Sequence, residues 1–265
     1  MRSTVLDKEE SNKKNYARPP VAVDKDEAAR HGVIAVSKPQ GVTSFRIVQK
    51  VRHLLGIKKV GHTGTLDPFA TGVLVICVGR PATRLVPRLM EGDKEYEATL
   101  QLGVTTETQD PEGCVIEERP VPELNEKVIQ NCLAKFRGKQ LQTPPSYSAL
   151  KHNGKPLYYY ARKGIKVNKE PRQVDIRKLE CIDYGRDTMT IRVTCSKGTY
   201  IRTLAADIGE FLGCGGYLSR LKRVRNGFFS IDECLPGEVL FDEKAGRDML
   251  LQSLMPVEEV KKILI

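Results

Sequence analysis

Asp67 lies in the segment Gly61-His62-Thr63-Gly64-Thr65-Leu66-Asp67-Pro68-Phe69-Ala70-Thr71-Gly72. Three glycines among these twelve residues permit unusual backbone angles and close approach of a ligand. Pro68 restricts Asp67 to an extended conformation. A carboxylate held on such a loop, next to a buried strand, is a candidate nucleophile or acid–base group. On residue types alone, an Asp that caps the following turn is the simpler reading. The loop is not a phosphate cradle of the Walker kind, since no Gly-Lys-Ser/Thr follows its glycines.

A second candidate is Cys195-Ser196-Lys197-Gly198-Thr199-Tyr200-Ile201-Arg202-Thr203-Leu204. Gly198 ends a strand, Thr199 can cap the helix that follows, and Tyr200 and Arg202 project near its start. Arg does not lose its charge and pairs readily with carboxylates. Placed beside Asp67, Arg202 would keep that group ionised by lowering its pKa. The alternative for Arg202 is a structural salt bridge.

The stretch 137–169 holds eight Lys or Arg residues and no acid, with Tyr147, Tyr158, Tyr159 and Tyr160 interleaved. Basic groups displace counterions along a phosphate backbone, and tyrosine rings stack on bases. The alternative is a solvated charge run with the tyrosines packed on the core. Arg220, Lys222, Arg223 and Arg225 form a second basic cluster, with Leu218, Leu221 and Val224 spaced between them. There the apolar positions would anchor a strand while the basic ones reach outward. A plain surface strand fits equally well.

These groups must be positioned by regular elements, and the periodicity supplies them. Gly32 to Val36 reads as a short strand ending in the turn Lys38-Pro39-Gln40-Gly41. Thr43 or Ser44 can cap a helix carrying Phe45, Val48, Val51, Leu54 and Leu55, which Gly56 ends. Val73 to Val78 is a continuous β-branched run suited to a strand buried on both faces. Tyr96, Ala98, Leu100 and Leu102 alternate with polar residues as a half-buried strand should. A helix is expected around 128–136, strands at 172–184 and 188–196, a helix at 201–212 and a strand at 217–225. The stretch 241–263 reads as helical and amphipathic. The irregular mixture is α+β rather than a doubly wound parallel sheet.

The whole chain bounds the partners. Lys and Arg exceed Asp and Glu to give a formal net charge of +10 over 265 residues. Residues 1–30 are polar, mixed in charge and without apolar periodicity, so they read as a disordered tail. The positive excess therefore sits in the folded body, where it points to an anionic partner such as nucleic acid. Seven Cys without a C-x-x-C pair read as structural thiols in a reducing compartment. Four scattered His residues offer no zinc spacing. No apolar run is long enough to cross a bilayer and no signal peptide is evident, so a cytoplasmic location is expected.

Taken in order, Lys38-Pro39-Gln40-Gly41, the Gly61–Gly72 loop, Lys94-Glu95-Tyr96, Pro145-Ser146-Tyr147-Ser148-Ala149-Leu150-Lys151, Ser196 through Leu204, and Arg220-Leu221 resemble the TruB-type tRNA pseudouridine synthase family. The resemblance spans roughly 32–226. It implies a mixed, mainly antiparallel sheet with flanking helices and a central RNA-binding cleft. It implies that Asp67 is the essential carboxylate, that Tyr96 stacks on the target base, and that Arg202 pairs with Asp67. His62, Tyr200 and Leu221 are then expected to contact a flipped nucleotide, and Lys38 and Lys151 to bind substrate. The substrate would be the uridine at position 55 in the T-arm of tRNA, isomerised without cofactor or metal by a monomer needing no protein partner. The implied organisation is a tail (1–30), a catalytic domain (31–240) containing the basic segment, and a short helical extension (241–265). Ser37 departs from the Asp or Asn found before Lys-Pro in many members. Longer relatives continue into a small PUA-type RNA-binding domain for which no counterpart is expected here. A guide-RNA-dependent synthase and a non-catalytic RNA-binding protein are the competing readings.

Overall fold

The computed structural model describes residues 31–264. The expected disordered tail, 1–30, lies outside the described residues. Seven strands carry the main sheet: β1 (Gly32–Lys38), β2 (Thr71–Val78), β3 (Lys94–Leu102), β4 (Gly138–Gln142), β5 (Arg172–Tyr184), β6 (Thr188–Cys195) and β7 (Gly216–Asn226). Their order is β1-β2-β7-β3-β6-β5-β4, with the short strand Leu235–Pro236 beyond β1. Neighbours are antiparallel except β2 with β7 and β1 with Leu235–Pro236.

β2 is buried on both faces, as its unbroken apolar run requires. Leu74, Ile76 and Val78 enter the larger core, and Val73, Val75 and Cys77 enter a smaller one on the opposite face. Each such side chain withdrawn from water contributes about 1.5–3 kcal/mol relative to exposure. β3 shows strict alternation, with Lys94, Tyr96, Ala98, Leu100 and Leu102 all inward.

β7 is less regular. It carries register shifts between Leu218 and Arg220 and again between Arg223 and Arg225. Each shift changes which residues face inward. Leu221 and Arg223 consequently point to the same side as Leu218. The expectation that all four basic residues of 220–225 reach outward is corrected here, because Arg223 is only 2% exposed.

Three helices cover the larger core: α1 (Ser44–Leu55), α2 (Glu126–Lys135) and α3 (Ile201–Phe211). Thr43 caps α1 by accepting from the Arg46 amide at 3.1 Å, and Gly56 ends the helix at φ +68°. Asn125 caps α2 through the Val128 amide. The cap expected of Thr199 on α3 is not made, because its hydroxyl donates to the Ser196 carbonyl instead. Gln142 holds that end of α3, accepting from the Tyr200 amide at 2.8 Å and donating to the Tyr200 carbonyl at 3.0 Å.

The stretch 241–263 is two helices, α4 (Glu243–Ser253) and α5 (Val257–Ile263), rather than one. Pro256 interrupts them, and Met255 and Pro256 add a short pairing to β1. Leu250 and Val260 are fully buried in the two cores, so both helices pack on the same body as the sheet.

Candidate active site

Asp67, Tyr96, Tyr200, Arg202 and Leu221 converge on one cavity of about 320 Å³. Thr63 to Asp67 form one wall, Tyr200 to Arg202 another, and Ser148 to Leu150 a third. Lys94, Tyr96, Leu221 and Arg223 form its floor. Tyr96 stands directly opposite Arg223 across β3 and β7, and Ala98 opposite Leu221. The floor is therefore two adjacent strands presenting side chains to the same face.

Asp67 is clamped through the backbone on both sides. The Ser44 hydroxyl donates to the Leu66 carbonyl and accepts from the Leu66 amide, both at 2.9 Å. The Pro68 carbonyl accepts from the Gly41 amide at 2.9 Å and from Lys38 Nζ at 3.2 Å. Ser44, which the sequence offers only as an alternative helix cap, thus ties α1 to the carboxylate loop. The glycines of the loop work differently from expectation. Only Gly72 has a left-handed backbone, at φ +99°, and a Cβ there would lie 2.2 Å from the Arg223 carbonyl. Its close approach is to β7, not to a ligand.

The Asp67 side chain makes an ion pair, not a turn cap. Its Oδ2 lies 3.0 Å from Arg202 Nε. The same guanidinium reaches Asp110 Oδ2 and the Thr108 carbonyl through Nη1, each at 3.0 Å, and the Tyr147 carbonyl through Nη2 at 2.7 Å. Arg202 and Asp110 are almost completely buried, whereas Asp67 keeps 34% of its side-chain surface open. Asp110 is in turn held by the Glu112 amide at 3.0 Å. One buried cation thus serves two carboxylates, one sealed and one facing the cavity.

That sharing alters the expected electrostatics of Asp67. Burial raises its pKa above the ordinary carboxylate value. Arg202 pulls it down, Asp110 pushes it up and Lys38 pulls it down, and burial prevails. The expectation of a pKa lowered by Arg202 is therefore corrected: Arg202 only moderates an upward shift. Burial also raises the Tyr96 phenol, opposed chiefly by the charge of Arg223. Lys94, which donates to the Met90 and Gly92 carbonyls at 2.5 Å, is lowered by burial to about 8.

Of the other expected site residues, Tyr200 and Leu221 line the cavity, but His62, Lys38 and Lys151 do not. His62 Nδ1 accepts from the Gly64 amide at 3.3 Å, bracing the loop from behind. Burial lowers its pKa, with Arg223 adding to the effect. Lys38 sits away from the cavity in a structural position. It is completely buried, and Nζ is occupied by the carbonyls of Pro39, Val42 and Pro68. Burial lowers its pKa to about 8. Lys151 is exposed on a two-residue strand next to the lining residue Leu150.

The basic segment meets the cavity at Ser148 to Leu150, which Lys151 follows. Arg137 is committed to the Leu179 carbonyl, at 2.9 and 3.1 Å. Lys151, Lys155, Arg162, Lys163 and Lys166 are exposed. None of its four tyrosines enters the hydrophobic core. Tyr147 donates to Glu107 and Tyr160 to the His152 carbonyl. Tyr159 lies between Lys155 and Lys163, 4.4 and 4.6 Å from its ring centre, and Arg162 stands over Tyr158.

Asp110, Arg223, Ser44 and Gln142 are the site residues that sequence reasoning missed. Asp110 precedes Pro111 in a turn-rich stretch, and nothing in its spacing connects it to Arg202 at a separation of 92 residues. Among the described residues, no group of three or more His, Cys, Asp or Glu side chains is arranged to hold a metal. No helix among them is long and apolar enough to cross a membrane.

Comparison with known proteins places this arrangement. Residues 52–201 match the model of the TruB family pseudouridylate synthase N-terminal domain, and 202–261 match that of the tRNA pseudouridylate synthase B C-terminal domain. A tRNA pseudouridine synthase B of Desulfotalea psychrophila is 51% identical over 238 residues, covering 88% of this chain and 96% of the relative. The protein of the same name from Francisella philomiragia is 48% identical, covering 87% and 76%. Among solved structures, a chain of a Cbf5-Nop10-Gar1 complex superposes with a TM-score of 0.67 at 27% identity, covering 88% of this chain and 62% of that one. A chain of an H/ACA ribonucleoprotein bound to a substrate RNA containing 2'-deoxyuridine gives 0.63 at 26%, with the same coverage. The chain belongs to the TruB family of pseudouridylate synthases.

Proposed function

We propose that this protein isomerises a uridine of tRNA to pseudouridine, and that its target is the T-loop uridine at position 55. The observation that carries the reading is the Asp67 carboxylate, held 3.0 Å from Arg202 Nε and open to a cavity floored by Tyr96 and Leu221. The reaction breaks the bond from ribose C1' to ring N1, turns the ring and rejoins it through C5. It needs no redox step and no group donor. A carboxylate facing the sugar and a flat pocket for the loose ring are what it demands.

In this reading Asp67 is the acid–base or nucleophilic group, and Arg202 fixes its orientation. Tyr96 stacks on the base, with Leu221 on the same floor and Tyr200 on the wall in contact with the nucleotide. The uridine is taken flipped from its stack, at a cost of a few kcal/mol. Exposed cations of 151–166 offset that cost by binding the RNA. Relatives at 48–51% identity named tRNA pseudouridine synthase B support the tRNA assignment.

The test is purified protein with a T-arm stem-loop transcript, assayed for pseudouridine. Product is expected from the protein alone, and Asp67→Asn should abolish it while leaving RNA affinity within a few-fold. Product that appears only with a guide RNA and partner proteins would favour the second reading, which the likeness to the ribonucleoprotein chains suggests. A large loss of affinity in Asp67→Asn would make Asp67 a structural residue.

A further inference from the structure

Arg223 is a buried cation for which the fold provides no anion. It is 2% exposed, and among the described residues no carboxylate lies within 4.0 Å of it. Its Nε donates to the Val73 carbonyl at 2.7 Å and its Nη2 to the Gly64 carbonyl at 3.1 Å. Nη1 meets no carbonyl or carboxylate among the described residues, the Tyr96 hydroxyl being the side-chain partner beside the guanidinium, and Arg223 lines the cavity. Isolated buried charges are strongly disfavoured and are normally paired. Here two carbonyls, from the carboxylate loop and from β2, aim the guanidinium with its third nitrogen tied to no carbonyl or carboxylate, beside the Tyr96 hydroxyl.

Its placement states which part of a substrate it would meet. Arg223 faces Tyr96 across the two floor strands, and Leu221 is two residues away on the same side. A base resting on Tyr96 and Leu221 puts its polar edge towards Arg223. A backbone phosphate belongs at the open side of the cavity, where the exposed Lys197 stands, not on the buried floor. The Gly72 close approach holds β2 against the Arg223 backbone, so the guanidinium is carried on two packed strands and not on a loop.

We infer that Arg223 is a catalytic residue which donates from Nη1 to a uracil carbonyl oxygen and stabilises the ring as an anion while it is detached from the ribose. The inference rests on the pseudouridine synthase reading above. When the C1'–N1 bond breaks, its electron pair leaves with the ring and is delocalised onto the ring oxygens. The ring then bonds C1' through C5, the C5 proton is lost, and N1 takes up a proton, so atoms and electrons balance without a further reactant. A uracil that is neutral when bound and anionic when detached gains more from a fixed cation in the second state. That difference accelerates the reaction, whereas equal binding of both states would not.

Removing one preorganised donor of this kind costs about 10²–10³-fold in rate. Arg223→Gln should lower the single-turnover rate by that order while T-arm RNA affinity stays within about threefold of the unaltered protein. Arg223→Lys, which keeps the charge but cannot hold both carbonyls and still reach the ring, should fall between. Guanidinium chloride at a sub-denaturing concentration should restore turnover to Arg223→Ala beyond an equal concentration of NaCl. An unchanged rate in Arg223→Gln and Arg223→Lys, or a rate loss matched by lost affinity with no guanidinium rescue, would overturn the assignment. Absence of product from the unaltered protein on the same RNA would instead strike the reading on which it rests.

Discussion

Asp67 and Asp110 share one guanidinium, yet neutralising them should move stability in opposite directions. Asp110 is 4% exposed and accepts from Arg202, the Glu112 amide and the Thr108 hydroxyl. Asp110→Asn keeps the shape but loses a charged acceptor for a buried Arg, a loss of about 1.5–3 kcal/mol. For a folded body of this size that corresponds to a fall in Tm of roughly 3–12 °C. Asp67 differs because burial holds its pKa above the ordinary value. A carboxyl whose folded pKa exceeds its unfolded pKa costs nothing below the unfolded value, and its full cost is present above the folded one. Asp67→Asn removes that cost and leaves Arg202 paired with Asp110, so Tm should stay level or rise at neutral pH. The gain should fade as pH drops through the raised Asp67 pKa. Scanning calorimetry of both variants across pH 4 to 8 reads this directly. A fall in Tm for Asp67→Asn as large as that for Asp110→Asn would refute the division of labour, and would make both carboxylates equal structural partners of Arg202.

Lys38→Met should lower turnover through displacement of the Pro68 carbonyl, and lower Tm, while leaving RNA affinity within about threefold, since Nζ is spent on three carbonyls. A binding titration showing weakened affinity at unchanged Tm would return Lys38 to the substrate-binding set. Neutralising Lys151, Lys155 and Lys163 together should make the log–log salt dependence of RNA binding shallower, by about 0.7–0.9 for each phosphate no longer neutralised. An unchanged slope would leave those cations as a merely solvated face.

Where side-chain periodicity is clean, the chain is legible. Tyr96-Ala98-Leu100-Leu102 alternates without interruption, and β3 follows it residue by residue. The run Val73–Val78 reads as buried on both faces, and its alternate residues do enter two different cores. β7 is a strand as expected, but the facing of its basic residues is misread, and the cause is local. Two register shifts in eleven residues change the phase, so that Leu218, Leu221 and Arg223 are buried where simple alternation would not put them together. With the phase lost, Arg223 is indistinguishable from the truly exposed Arg220 and Lys222. Lys38 misleads for a different reason. A lysine beside a proline turn is ordinarily solvated, and nothing nearby in sequence announces that the carbonyls of Pro39, Val42 and Pro68 converge on it.

The carboxylate site shows most clearly what residue types leave undetermined. An Asp and an Arg brought together suggest an ion pair that keeps the acid ionised, and the pair is present at 3.0 Å. The sign of the pKa shift is nevertheless set by what surrounds the pair. Arg202 is divided between Asp67, Asp110 and two backbone carbonyls, so no single acceptor receives its full effect. The enclosing walls then outweigh the share left to Asp67. A carboxyl poised above its ordinary range and open on one side can exchange a proton during a reaction more readily than one locked in a closed ion pair. Burial sets that condition, and Asp110, by taking the sealed side of Arg202, adds to it.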